Sequence, residues 1–138
     1  MQDILHASCV AIDGRAVLIK GPSGSGKSAL ALNLMALGCD LVADDQTALS
    51  ATPEGILASC PDTIRGMIEA RFVGLLRAHA VGPVPVALVV DMGQVETDRL
   101  PPIRTTTILG VSFPVVHKIE MHHFPAAIVQ YLRSGRKA

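Results

Sequence analysis

Eight consecutive residues, Gly21, Pro22, Ser23, Gly24, Ser25, Gly26, Lys27 and Ser28, match the phosphate-binding P-loop pattern at every fixed position. They follow an apolar run, Ala16 to Ile19, and precede a stretch of helix-forming residues. This order of strand, glycine-rich loop and helix is the context the pattern requires, and it calls for an α/β architecture. The glycines let successive backbone N–H groups turn inward at a helix N-terminus, where the helix dipole also favours negative charge. Lys27 then brings a full positive charge to the β and γ phosphates of a nucleotide. The Ser28 hydroxyl is placed to coordinate the Mg²⁺ that bridges them.

At 138 residues and 14.5 kDa the chain has room for one core, so residues 1–138 are read as a single domain. Hydrophobic residues make up 49% and charged ones 17%, a balance that folds rather than stays disordered. Lys plus Arg and Asp plus Glu both total 12, and aromatic residues are scarce, which argues against a nucleic-acid partner. The longest apolar run, Ala80 to Val90, is broken by Pro83 and Pro85 and falls well short of the roughly 20 residues of a membrane span. The N-terminus opens with Gln2 and Asp3 rather than a basic stretch, and His6 and Asp13 interrupt the apolar residues that follow, so no secretory signal is expected. Cys9, Cys39 and Cys60 lack metal spacing and read as reduced core thiols of a cytoplasmic protein.

Along the chain, Ile4 to Ile12 and Ala16 to Ile19 read as a hairpin turning at Asp13-Gly14. A helix is expected over about Lys27 to Leu37, with Gly38 at its C-terminal cap. Leu41 to Ala43 is a short buried strand, and Thr47 to Leu57 is a second hairpin broken at Pro53, Glu54 and Gly55. Pro61 to Arg65 suggests a helical turn. Val84 to Val90 is an apolar strand, Thr105 to Leu109 and Phe113 to His117 are further strands, and Phe124 to Leu132 has helical periodicity. The basic tail Arg133, Arg136 and Lys137 reads as a solvated helix end.

A P-loop indicates nucleotide binding without naming what receives the phosphate. Two acidic strand ends compete for the place beside it: Asp44-Asp45 after Leu41 to Ala43, and Asp91 after Val84 to Val90. An adjacent pair could divide the work, one acid near the metal and one taking a proton from the attacking hydroxyl. The residues alone leave both sites open.

His6, the Gly21 to Ser28 loop and the segment Leu41 to Asp45 occur with the spacing seen in the catalytic domain of bacterial HPr kinase/phosphorylase, which the chain resembles over most of its length. That resemblance implies a single P-loop kinase domain, a mixed β-sheet with few flanking helices. It implies ATP and Mg²⁺ as cofactors and transfer of phosphate to a seryl hydroxyl of an HPr-like phosphocarrier protein. A homo-oligomer, a hexamer in the family, and a reverse phosphorolysis come with it.

By the same resemblance, Lys27 holds the phosphates, Asp45 accepts the serine proton, and Ser28, Asp44 and Glu69 bind metal. Ile68 to Leu75 is similar to the family's Leu-Glu-Ile-Arg-Gly signature, which makes Arg71 a candidate to face the transferred phosphate. Glu69 and Arg71 are then read as two apart on one strand face. Arg99 resembles a later catalytic arginine, and His6 is expected near the transferring group.

The chain also departs from the family pattern. Phe72 stands where glycine is usual and is expected to narrow the approach to the site. The N-terminal domain of longer members is absent from the sequence. The Gly-Arg-Asn loop associated with phosphorolysis is not recognisable near Ile119 to Phe124, so the forward reaction is expected to exceed the reverse. Lys118 is the one permanent cation between Pro114 and Ala126, and His117, His122 and His123 read as surface or substrate contacts rather than metal ligands. Two other functions fit a P-loop: a kinase of a small metabolite with Asp91 as the metal acid, and a nucleotide-binding regulatory module without turnover.

Overall fold

The computed structural model describes residues 2–138. The N-terminal hairpin is interrupted: a bend at His6 separates β1 (Gln2–Leu5) from β2 (Ala7–Ile12), which pairs antiparallel with β3 (Arg15–Lys20). After the glycine-rich loop, α1 spans Lys27–Ala36 and stops where Gly38 adopts φ 108°. The N–H of Gly38 then bonds to the Met35 carbonyl, and that of Cys39 to the Leu34 carbonyl. This Schellman arrangement requires the left-handed residue that glycine supplies. β4 (Asp40–Ala43) follows, then the hairpin of β5 (Thr47–Thr52) and β6 (Gly55–Ser59), and a 3₁₀ turn at Asp62–Ile64.

Two segments differ from the sequence reading. The stretch around the signature is not one strand but a hairpin of β7 (Met67–Ala70) and β8 (Gly74–Arg77), so Arg71 sits in its turn and does not share a strand face with Glu69. The apolar strand also runs on past Asp91: β9 spans Val84–Val95, which places Asp91 within a strand rather than at its end. β10 (Arg104–Ile108), β11 (Val111–Lys118) and α2 (Phe124–Ser134) complete the chain.

β9 organises the main sheet. It pairs parallel with β3 and β11 and, near Val84 and Pro85, antiparallel with β6. The order β1-β5-β6-β9-β3-β2-β4, with β10 on β11, gives a nine-stranded mixed sheet; β7 and β8 form a separate pair. Central strands are covered on both faces, which explains their unbroken apolar runs. Val17 and Ile19 of β3 face Leu30, Leu34, Phe124, Ile128 and Leu132 of the helices. Ala16 and Leu18 face Leu49, Ile56, Val89 and Phe113 inside the curl of the sheet. Each such leucine or isoleucine adds roughly 1.5–3 kcal/mol of burial free energy. All three cysteines are free and buried, and burial pushes the Cys39 thiol up to about 11, as expected of core thiols.

Candidate active site

The loop between β3 and α1 is shaped by close packing as well as by glycine freedom. A Cβ on Gly21, whose φ is 149°, would stand 2.7 Å from Ser25 Oγ and 3.0 Å from Met92 Cβ, so no larger residue fits there. Gly24 and Gly26 also take positive φ, and Gly26 forms the N-cap of α1. Lys27 is buried, and its ammonium donates to the carbonyls of Gly21 (2.9 Å) and Pro22 (3.1 Å), so the loop wraps around its own cation. Inside the loop Ser25 Oγ is buried without a hydrogen-bond partner among the described residues, which suits a cradle that takes oxygen-rich anions. Lys118, at the end of β11, donates to the Ser25 carbonyl (3.3 Å), and His122 lies along the same side of the loop. The segment around Ile119 to Phe124 therefore flanks the glycine-rich loop.

The acid pair is split by its surroundings. Asp44 is buried, and its Oδ1 accepts from Ser28 Oγ (2.6 Å) and Ser8 Oγ (2.8 Å), while Oδ2 accepts the Glu69 N–H (3.0 Å). Asp45 turns outward with φ 68°; its side chain is 63% exposed, and its Oδ1 lies 3.3 Å from His6 Nδ1. Next to the loop opens a cleft of about 430 Å³. The loop lines it with Lys27 and Ser28, and the opposite walls carry His6, Asp45, Glu69, Arg71 and Val73. Asp44 forms the floor beneath Ser28.

Seven of the residues singled out in the sequence thus meet at one place: His6, Lys27, Ser28, Asp44, Asp45, Glu69 and Arg71. Arg99 does not. It lies exposed in the loop between β9 and β10 and does not line the cleft; Glu96, at the start of that loop, is bonded to Arg104 at its end. The two Glu96 carboxylate oxygens accept from Arg104 Nε and Nη2, each at 3.0 Å, and this bonding lowers the Glu96 carboxyl to about 2. Asp91 is also outside the cleft, its Oδ1 accepting the Gly93 N–H at 2.8 Å. Phe72 does not narrow the approach: its ring is fully exposed at the tip of the β7–β8 hairpin, at φ 68°.

Ser8 was not legible as a site residue. A serine two positions after a candidate site histidine, in a strand that alternates faces, was the available signal. Ser28 Oγ, Asp44 and Glu69 offer only hard oxygen donors, the set Mg²⁺ prefers. No group of three or more His, Cys, Asp or Glu side chains is gathered for metal among the described residues, and Mg²⁺ does not require such a cage when substrate phosphates and water complete its shell.

Residues 1–116 match the family model described as the HPr serine kinase C-terminal domain. The chain belongs to that family. It is 36% identical over 126 residues to an HPr kinase/phosphorylase of Azoarcus sp., covering 81% of this chain and 40% of that protein. It is 44% identical over 78 residues to that of Bordetella pertussis, covering 56% of this chain and 25% of that one. The chain therefore spans well under half the length of these curated relatives. The solved HPr(Ser) kinase/phosphatase from Coxiella burnetii superimposes with a TM-score of 0.79 at 28% identity, covering 95% of this chain and 94% of that one. That likeness extends the match to the mixed α/β fold as a whole, including α2, which lies beyond residue 116. Among the described residues no helix is long and apolar enough to cross a membrane.

Proposed function

We propose that the chain is an ATP- and Mg²⁺-dependent protein-serine kinase acting on an HPr-like phosphocarrier protein. The observation that carries this reading is the division of the acid pair: Asp44 is engaged beneath Ser28, whereas Asp45 is presented to the cleft beside His6. One carboxylate is fixed at the phosphate side and the other is free to meet an incoming hydroxyl. Loop amides and Lys27 hold the β and γ phosphates and offset their charge. Mg²⁺ held by Ser28, Asp44 and Glu69 would add charge neutralisation at those phosphates. Asp45 orients the seryl hydroxyl and takes its proton as the serine oxygen bonds to the γ phosphorus and the bridging bond to ADP breaks. Arg71 lines the same cleft, and on this reading its guanidinium would face the group in transfer.

Forward transfer is expected to exceed phosphorolysis, because the family's Gly-Arg-Asn loop is not recognisable in the region that Ile119 to Phe124 occupies. A homo-oligomer is expected by resemblance to the family, and analytical ultracentrifugation tests it. Incubation with γ-labelled ATP, purified HPr and candidate metabolites tests the activity. Label on HPr supports the reading. Label on a metabolite, or ATP bound without turnover, overturns it.

A further inference from the structure

Ser8 is fully buried in β2, opposite Ile19 of β3, yet it is polar and takes part in two hydrogen bonds at the acid pair. Its hydroxyl donates to Asp44 Oδ1 at 2.8 Å and accepts the Asp45 N–H at 3.4 Å. It thereby touches both acids at once, one through the side chain and one through the backbone. The strand pairing explains why this tether exists. Between β2 and β4 the register shifts, with Cys9 opposite Ala43 but Val10 opposite Leu41, so β4 carries one extra residue just before the acids. A bulge of this kind re-aims the residues that follow it. Here it delivers Asp44 inward, and Asp45 then enters a left-handed conformation that non-glycine residues rarely adopt. A backbone so placed needs external ties, and the Ser8 hydroxyl is one.

We infer that Ser8 is a positioning residue of the acid pair: it locks Asp44 toward Ser28 and tethers the Asp45 amide, so that one acid stays on the floor and the other stays in the cleft. Its effect on phosphate transfer rests on the kinase reading above. Nucleotide binding without metal relies on the loop amides and Lys27, none of which Ser8 contacts in the side-chain bonding. The gain in affinity that Mg²⁺ brings relies on Asp44 and Ser28, which Ser8 orients.

The test compares Ser8→Ala with Ser8→Thr, which keeps the hydroxyl. ATP binding is measured by calorimetry with and without Mg²⁺, and transfer to HPr is measured as kcat and KM. For Ser8→Ala, ATP affinity without Mg²⁺ stays within about twofold of the parent, whereas affinity with Mg²⁺ falls roughly tenfold, as expected for a lost hydrogen bond to a charged group. The kcat for HPr falls by about 10- to 100-fold with KM for HPr little changed, and Ser8→Thr recovers most of both losses. An unchanged Mg²⁺ effect, or an equal loss of ATP affinity with and without Mg²⁺, overturns the assignment. If Ser8→Ala does not fold, Ser8→Cys keeps the volume while offering only a weak donor, and the same comparison decides. If the parent binds Mg·ATP but never labels HPr, the kinase reading fails while the binding comparison still decides the role of Ser8.

Discussion

The floor and the rim of the cleft are built on different terms. On the floor, Ser8, Lys27 and Asp44 are buried; Asp44 is joined to Ser8 and Ser28 by short hydrogen bonds, while Lys27 is bonded to the loop's own carbonyls, and these residues come from β2, α1 and the end of β4, all packed on the central sheet. On the rim, His6 and Asp45 are more than half exposed, and Arg71 and Phe72 occupy a hairpin turn outside the main sheet. The floor has the rigidity needed to hold phosphates in one geometry. The rim has the access that the proposed protein acceptor would need. On the proposed reading, nucleotide binding and acceptor chemistry fall on different sides of one cleft, and substitutions on the two sides have different expected signatures.

The largest effect is expected on the floor. Lys27→Ala removes the loop's cation and also its internal bonds to Gly21 and Pro22, so ATP binding weakens and transfer falls by more than about 10³-fold. Calorimetry and labelled ATP measure the two together; a folded variant that binds and transfers like the parent breaks the assignment of the loop. On the rim, Arg71→Ala is expected to slow transfer roughly 10- to 100-fold with ATP binding retained, whereas Arg99→Ala, outside the cleft, leaves both within about twofold. Steady-state kinetics on the pair sharpen the comparison, and equal effects would place the two arginines at one site.

Smaller effects concern stability alone. Glu96 has its carboxyl lowered from 4.5 to about 2, chiefly by the hydrogen bond from Arg104. A lowered folded value contributes stability that is fully present above pH 4.5 and is lost as pH falls toward 2. Glu96→Gln should therefore melt below the parent at neutral pH, with the gap closing across that window in thermal melts. A gap that persists at pH 2 would show that the pair acts through packing. Phe72→Gly relieves a positive φ at an exposed turn and is expected to stabilise by about 1 kcal/mol in urea unfolding.

The fold was legible where pattern and punctuation agree. The P-loop with its flanks, the Pro53-Glu54 hairpin and the two helices all carry periodicity bounded by glycine or proline. The β7–β8 hairpin was missed because its turn holds Phe72 at positive φ, with no Asn-Gly or Asp-Gly signal to mark it. β9 reads as ending at Asp91 because Asp91, Gly93 and Gln94 break the apolar run, though the strand continues past the loop to Val95. Most of the residues that meet at the candidate site were legible because they lie in motifs. Ser8 was not, since its partner stands 36 positions away and the contact depends on a register shift that no local pattern encodes. Arg99 was singled out by resemblance alone, with no motif around it, and it lies in an exposed loop that does not line the cleft.

The division of labour between Asp44 and Asp45 is tested most directly by Asp45→Asn, assayed for Mg·ATP affinity by calorimetry and for label transfer to HPr on the same preparation, with Asp91→Asn as the comparison. ATP affinity is expected to stay within about twofold of the parent while transfer drops roughly 10²- to 10⁴-fold, and Asp91→Asn is expected to change neither by more than about twofold. Transfer that survives in Asp45→Asn but collapses in Asp91→Asn would contradict the account and move the chemistry to β9.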